Sequence, residues 1–210
     1  MSNNIYNTDS EIRKGDRVKL PTKYGNFQLV PFQEVGSGIE HIALLKGNPG
    51  STDVVLTRVH SSCATGDLFG SLRCDCGEQL HKAMELIEKE GLGVIIYLQQ
   101  EGRGIGLMSK IKAYKLQENG VDTVDANIHL GFAPDERNYQ IGAEILKALN
   151  IHKIRLLTNN PAKISGLEGN GIQIIDRQEL IIESNIHNEK YLKTKQARMG
   201  HVFEPLMETL

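Results

Sequence analysis

The stretch GEQLHKAMELIEKEGLGVIIYL, residues 77–98, decides the fold class. Leu80, Ala83, Met84 and Ile87 recur at helical spacing on one face, and Gly91 stops the run. GVIIYL, residues 93–98, follows at once as a short apolar run of the kind found in strands buried on both faces. Helix then buried strand is the repeating unit of a layered α/β domain.

The same alternation continues downstream. A Gly-rich turn, Gly102 to Gly106, leads into a helix across LMSKIKAYKLQEN, stopped by Gly120. NYQIGAEILKALN reads as a helix with Ile141, Ile145 and Leu149 in register, and KIRLLT as a strand. Pro161 suits the first turn of a further helix. GIQIID is another strand, and a closing helix is expected from about Asn188 to Met199. Upstream, residues 16–60 carry NFQLVPF, HIALLKG and DVVLTRV, apolar or β-branched runs punctuated by Gly, Pro and Asp. The expectation is an α/β fold: a single three-layer domain with a mixed β-sheet, an N-terminal strand-rich portion followed by strand–helix alternation. That domain is expected to occupy residues 16–210, behind a flexible tail at residues 1–15.

A chain of 210 residues with 40% hydrophobic and 24% charged residues can bury roughly 70% of its unfolded surface without disulfides. The net charge of −2 gives no global attraction to nucleic acid, and no basic stripe with interleaved aromatics is present. No apolar run approaches the roughly 18 residues of a membrane span. The polar start, MSNNIYNTDSEIRKG, lacks the apolar core of a secretion signal, so a cytoplasmic protein is expected. An anionic ligand would need a local cluster of Arg and Lys.

All three cysteines lie in RVHSSCATGDLFGSLRCDCGEQL, with the spacing C-x10-C-x-C. An odd, clustered set points to metal or catalysis rather than disulfides. Three thiolates leave a tetrahedral zinc one open position, where water becomes acidic enough to react near neutral pH. Arg58 and Arg73 are candidates for holding the thiols ionised. The spacing alone leaves two other readings open. The cysteines could be buried structural residues, or His60 or His81 could supply a fourth ligand and close the site. YLQQEGRGIGL is a strand-to-helix turn of the kind that binds phosphate through backbone N–H groups, with Arg103 adding a charged fork.

Taken together, RVHSSCATGD, SLRCDCGEQL and QEGRGIGL closely resemble GTP cyclohydrolase II, and the resemblance runs from about Leu20 to His201. AYKLQENGVDTVDAN, LGFAPDERNY and LLTNNPAKI match in order behind them. The resemblance implies zinc, one per subunit, on Cys63, Cys74 and Cys76, with water as fourth ligand and His60 outside the metal. Ring opening needs a proton donor at the departing nitrogen, and Tyr114 is the candidate because a positioned phenol can donate and return a proton; the resemblance implies Asp135 as general base and Arg137 as nucleophile toward the α-phosphorus. A guanidinium stays protonated, so Arg137 could instead stabilise charge while water attacks. A GTP pocket is implied from Arg58, Val59, His60, Ser61, Ser62, Gln79, Glu101, Gly102, Arg103, Thr123, Thr158 and Lys163, with Mg²⁺ on the triphosphate. The products implied are 2,5-diamino-6-(5-phosphoribosylamino)pyrimidin-4(3H)-one, formate and pyrophosphate, at the first step of riboflavin synthesis. Like the family, the chain is expected to be a homodimer without nucleic-acid or membrane partners. It resembles the form that stands alone rather than fused to a dihydroxybutanone phosphate synthase domain. Ser62, Ala64 and Gln99 depart from the family's usual wording, and none of them removes a ligand.

Overall fold

The computed structural model describes residues 12–199. Its strands are β1 (Ile12–Lys14), β2 (Val18–Thr22), β3 (Gly25–Glu34), β4 (Glu40–Lys46), β5 (Val55–Ser61), β6 (Gly93–Leu98), β7 (Lys153–Leu157) and β8 (Gln173–Gln178). Its helices are α1 (Cys76–Glu90), α2 (Gly106–Glu118), α3 (Thr123–His129), α4 (Gln140–Ala148), α5 (Pro161–Glu168) and α6 (Glu189–Met199).

One sheet contains every strand, in the order β1-β3-β4-β6-β5-β7-β8, with β2 sharing with β1 the same edge of β3. The β3, β4 and β6 ladders are antiparallel; β6, β5, β7 and β8 run parallel. The sheet is therefore mixed. Both faces of its parallel half are covered, which is why β6 is an almost unbroken apolar run and even the polar Thr57, Arg58 and His60 of β5 are buried. On one face Ala83, Met84 and Ile87 of α1 pack on Phe27, Leu56, Ile95 and Leu157. On the other, Ile141, Ile145 and Leu146 of α4 and Leu167 of α5 pack on Val59, Ile96, Leu98 and Ile154. These are the three layers expected.

Local signals set the ends of the helices. Gly91 closes α1 at φ 77°, and its N–H bonds the carbonyls of Ile87 and Glu88. Pro161 opens α5, with the Asn160 side chain accepting from Ala162 N at 3.0 Å.

Two features differ from the sequence reading. The sheet begins at Ile12, inside the segment expected to be a tail, because Ile12 is 8% exposed in the main core opposite Glu34 of β3. Residues 1–11 of that expected tail lie outside the described residues. Helix α3 was not anticipated. Its seven residues are too few to display a stripe, and its one signal is Asp122, whose side chain caps Val124 N at 2.8 Å.

The connections place the site. From β5 the chain crosses through α1 to β6, on one side. From β7 it crosses through α5 to β8, on the other side and on the opposite face. A crevice opens where neighbouring parallel strands send their chains to opposite faces, at their C-terminal ends. Here that is the mouth between β5 and β7.

Candidate active site and metal centre

A cleft of about 1010 Å³, measured to its open mouth, occupies that position. It holds two groupings of side chains.

The first is built on the loop after β5. Cys63, Cys74 and Cys76 bring their Sγ atoms within 4.8 Å of one another, and no disulfide links them. Cys63 Sγ lies 3.7 Å from Cys74 Sγ. The loop Ala64–Leu68 folds so tightly over the thiols that a Cβ on Gly66 would meet Cys74 Sγ at 3.0 Å. Hydrogen bonds from its sulfur neighbours draw the Cys63 thiol down, while the bond to Cys63 pushes Cys74 up, so Cys63 takes the negative charge first. Three converging thiols with one readily ionised fit a divalent metal that prefers sulfur.

Neither histidine candidate joins them. His81 stacks on Tyr24, ring centroids 4.4 Å apart. His60 turns to Asp67, with Nε2 3.1 Å from both carboxylate oxygens. A carboxylate only accepts, so Nε2 carries the hydrogen. Burial lowers the His60 pKa, which keeps the ring neutral despite Asp67. The Asp67 carboxylate is nearly inaccessible and also accepts from Tyr97 OH at 2.8 Å and from Cys63 N at 2.9 Å. It therefore ties β5, β6 and the metal loop together.

The cation at the thiols is one that sequence reasoning missed. Lys110 Nζ donates to Cys63 Sγ at 3.1 Å, Thr65 Oγ1 at 2.9 Å and Glu101 Oε1 at 2.8 Å. Of the two arginines expected there, Arg73 pairs with Glu118 and lies over the Tyr114 ring at 4.1 Å. Arg58 interacts electrostatically with Cys76 but spends its hydrogen bonds on Leu157 O (2.8 Å) and Gln79 Oε1 (2.5 Å). Burial pushes the Tyr114 phenol up to about 12, so it holds its proton at neutral pH. Lys110 lies 5.6 Å over the same ring.

Glu101 is engaged on both oxygens. Oε1 takes Lys110 and Gly102 N, and Oε2 takes Ala64 N at 2.6 Å. The Gly-rich turn thus spends the Gly102 N–H internally. Gly102 and Arg103 both adopt left-handed backbone, φ 64° and 63°, and Arg103 O accepts from Glu136 N at 3.0 Å. That contact docks the loop of residues 133–137, and a Cβ on Gly104 would strike Glu136 at 3.0 Å.

The second grouping is cationic. Arg137 and Lys163 both lie 5.8 Å from the Tyr139 ring. Asp135 holds Arg137 in a two-pronged pair, Nε to Oδ1 at 2.8 Å and Nη2 to Oδ2 at 2.5 Å. Burial opposes the charge on each partner. The pairing nonetheless lowers the Asp135 pKa and raises that of Arg137. Burial brings Arg58 down to about 10, still charged at neutral pH. Lys163 Nζ donates to Val59 O at 2.7 Å.

All the expected site residues line the cleft except two. Strand alternation points the Val59 side chain into the core between the sheet and α4; only its carbonyl faces Lys163. Asp135 stands behind Arg137. Gln100, Asn127, Asn159, Asn160 and Tyr191 also line the cleft and were not anticipated. Their residue types carry no spacing signal. Among the described residues, six of the seven buried side-chain polar atoms without a hydrogen-bond partner belong to cleft residues: Arg58 Nε, His60 Nδ1, Ser61 Oγ, Ser62 Oγ, Gln100 Oε1 and Arg103 Nη2. Buried polar atoms are otherwise almost always satisfied, so their concentration here marks a site shaped for a polar ligand.

The family model for GTP cyclohydrolase II matches residues 13–179. The riboflavin biosynthesis protein RibBA of Phocaeicola vulgatus is 60% identical over 193 residues, covering 92% of this chain and 48% of that protein. RibBA of Bacillus subtilis is 52% identical over 198 residues, covering 94% and 50%. The chain spans about half the length of the curated relatives it matches. Among solved structures, RibBX of A. baumannii, a two-domain 3,4-dihydroxy-2-butanone 4-phosphate synthase, is 22% identical, with a TM-score of 0.46 over 81% of this chain and 41% of that one. With its cysteine segment, cleft and matched length in agreement, the chain belongs to the GTP cyclohydrolase II family.

Proposed function

We propose that this chain hydrolyses GTP to 2,5-diamino-6-(5-phosphoribosylamino)pyrimidin-4(3H)-one, formate and pyrophosphate, opening riboflavin synthesis. One observation carries the reading: a single cleft contains both a cluster of three thiols and a separate set of buried cations. The first suits hydrolysis at a ring carbon, the second a triphosphate.

Cys63, Cys74 and Cys76 would hold zinc, which when bound supplies a water acidic enough to add to carbon at neutral pH. Lys110 places a fixed positive charge on Cys63 Sγ, offsetting the accumulated charge of three thiolates. It also orients Glu101, which clamps the metal loop at Ala64 N. The Tyr114 phenol, protonated at neutral pH, is the donor to the departing ring nitrogen. Arg58, Arg103, Arg137 and Lys163, with Mg²⁺, neutralise the triphosphate. Gln79 steadies Arg58, and Thr123 and Thr158 add hydroxyls to the same wall. Arg137 serves as a charged fork. Attack by its nitrogen would first require Asp135 to take a proton that their pairing holds on the guanidinium. A cytoplasmic homodimer follows from the family resemblance.

The test is incubation with GTP and Mg²⁺, measuring formate and pyrophosphate together. Equal release of both supports the reading. Pyrophosphate without formate would limit the chain to phosphate chemistry, and neither product would remove the assignment. Cys74→Ser should lose zinc and formate together.

A further inference from the structure

Helix α6 begins ten residues beyond the segment that the family model matches, yet it reaches the cleft through Tyr191. Asn188, the residue just before it, is fully buried; Asn188 O accepts from Leu192 N at 2.9 Å, and its side chain accepts from Asn185 N at 2.8 Å. Leu192 is buried at 8% exposure. Tyr191, Thr194 and Arg198 follow at i, i+3 and i+7, one face of the helix. Two of them grip the start of α3. Thr194 Oγ1 donates to Asp122 Oδ2 at 3.0 Å, and Arg198 Nη1 donates to Asp122 Oδ1 at 2.8 Å and pairs with Asp125 at 2.9 Å. Asp122 is also the cap of α3, whose Thr123 and Asn127 line the cleft. Helices α3 and α6 therefore form one wall, pinned at Asp122 and Asp125. The third residue of the face, Tyr191, is an electrostatic neighbour of Arg137.

We infer that Tyr191 is a further ligand-binding residue, its phenol donating a hydrogen bond to a phosphate group of the nucleotide beside Arg137. This rests on the proposed function. A phenol O–H next to a guanidinium suits an anionic oxygen, because both groups donate hydrogen bonds. The docking of α6 on α3 orders the phenol before the ligand arrives, so little side-chain freedom is lost on binding.

The experiment measures dissociation constants of two probes on the full chain, a non-hydrolysable GTP analogue with Mg²⁺ and inorganic tripolyphosphate. The variants are Tyr191→Phe and Tyr191→Ala, with zinc content as a control. Losing one hydrogen bond to a charged group should weaken both probes about tenfold in Tyr191→Phe, with zinc unchanged. The analogue should also slow amide exchange across residues 189–199 of the wild type. Wild-type affinity of Tyr191→Phe for both probes overturns the inference. Weakening of the analogue alone in Tyr191→Ala, with tripolyphosphate unaffected, also overturns it, because the contact would then be to the nucleoside. A wild-type chain that binds neither probe overturns the functional reading, and this inference with it.

Discussion

Replacing Asp67 by alanine takes one acceptor away from three donors, on the buried His60 and Cys63 and the half-buried Tyr97. Tyr97 OH at 2.8 Å, Cys63 N at 2.9 Å and His60 Nε2 at 3.1 Å all converge on that carboxylate, whose side chain is 3% exposed. Each donor left unsatisfied costs about 1–3 kcal/mol, or roughly 3–9 kcal/mol in all, somewhat less once the desolvation of the carboxylate itself is relieved. A domain of this size holds only about 5–15 kcal/mol. Asp67→Asn keeps the shape and one acceptor oxygen, so it should lose about 1–2 kcal/mol. Urea unfolding measures both. With a slope of about 1–3 kcal/mol per molar, the alanine midpoint should fall by at least about 1 M, and the asparagine midpoint by less. The same carboxylate anchors the Cys63 backbone, so zinc content should drop in the alanine variant. An alanine variant that unfolds within about 0.5 kcal/mol of wild type, the range of an ordinary surface change, and keeps its zinc would refute the reasoning.

Burial holds His60 neutral, with its pKa below the ordinary value of 6.5, and His81 shifts the same way. The unfolded chain then binds protons first as pH falls, so stability should be full above about pH 6.5 and decline below it, by up to about 1.4 kcal/mol per pH unit per histidine. Urea titrations at pH 7, 6 and 5 should show that fall, and His60→Gln should flatten it. Tyr114→Phe should keep zinc and pyrophosphate release but slow formate release by about 10²- to 10⁴-fold; unchanged formate in a quenched-flow assay would remove the phenol from the chemistry. With Arg137 acting as a charged fork, GTP labelled at the α-phosphate should leave no label on protein quenched in alkali, and Arg137→Lys should retain part of the pyrophosphate release. Label that disappears in Arg137→Ala would establish the nucleophile instead.

Periodicity and spacing alone carried much of this molecule. Leu80, Ala83, Met84 and Ile87 marked the inward face of α1 because a helix with one apolar stripe has one way to face a sheet. The cysteines were legible because chemistry confines the residue types at their spacing, and the wording around them named the family. Tertiary structure decided the rest, wherever a residue's meaning depends on a neighbour far away in the chain. Lys110 reads as an ordinary lysine on a weakly patterned helix until folding carries it across 47 positions to Cys63. Lys163 reaches Val59 across 104 positions. Asp67 looks like a loop acid until β5 and β6 pair and set His60 and Tyr97 beside it. Strand alternation turned the Val59 side chain into the core and left only its carbonyl toward Lys163. Strand order is likewise absent from local pattern. A local run shows that a strand is buried, whereas its partner is chosen by long-range packing, and here that packing set β5 between β6 and β7 and so opened the cleft.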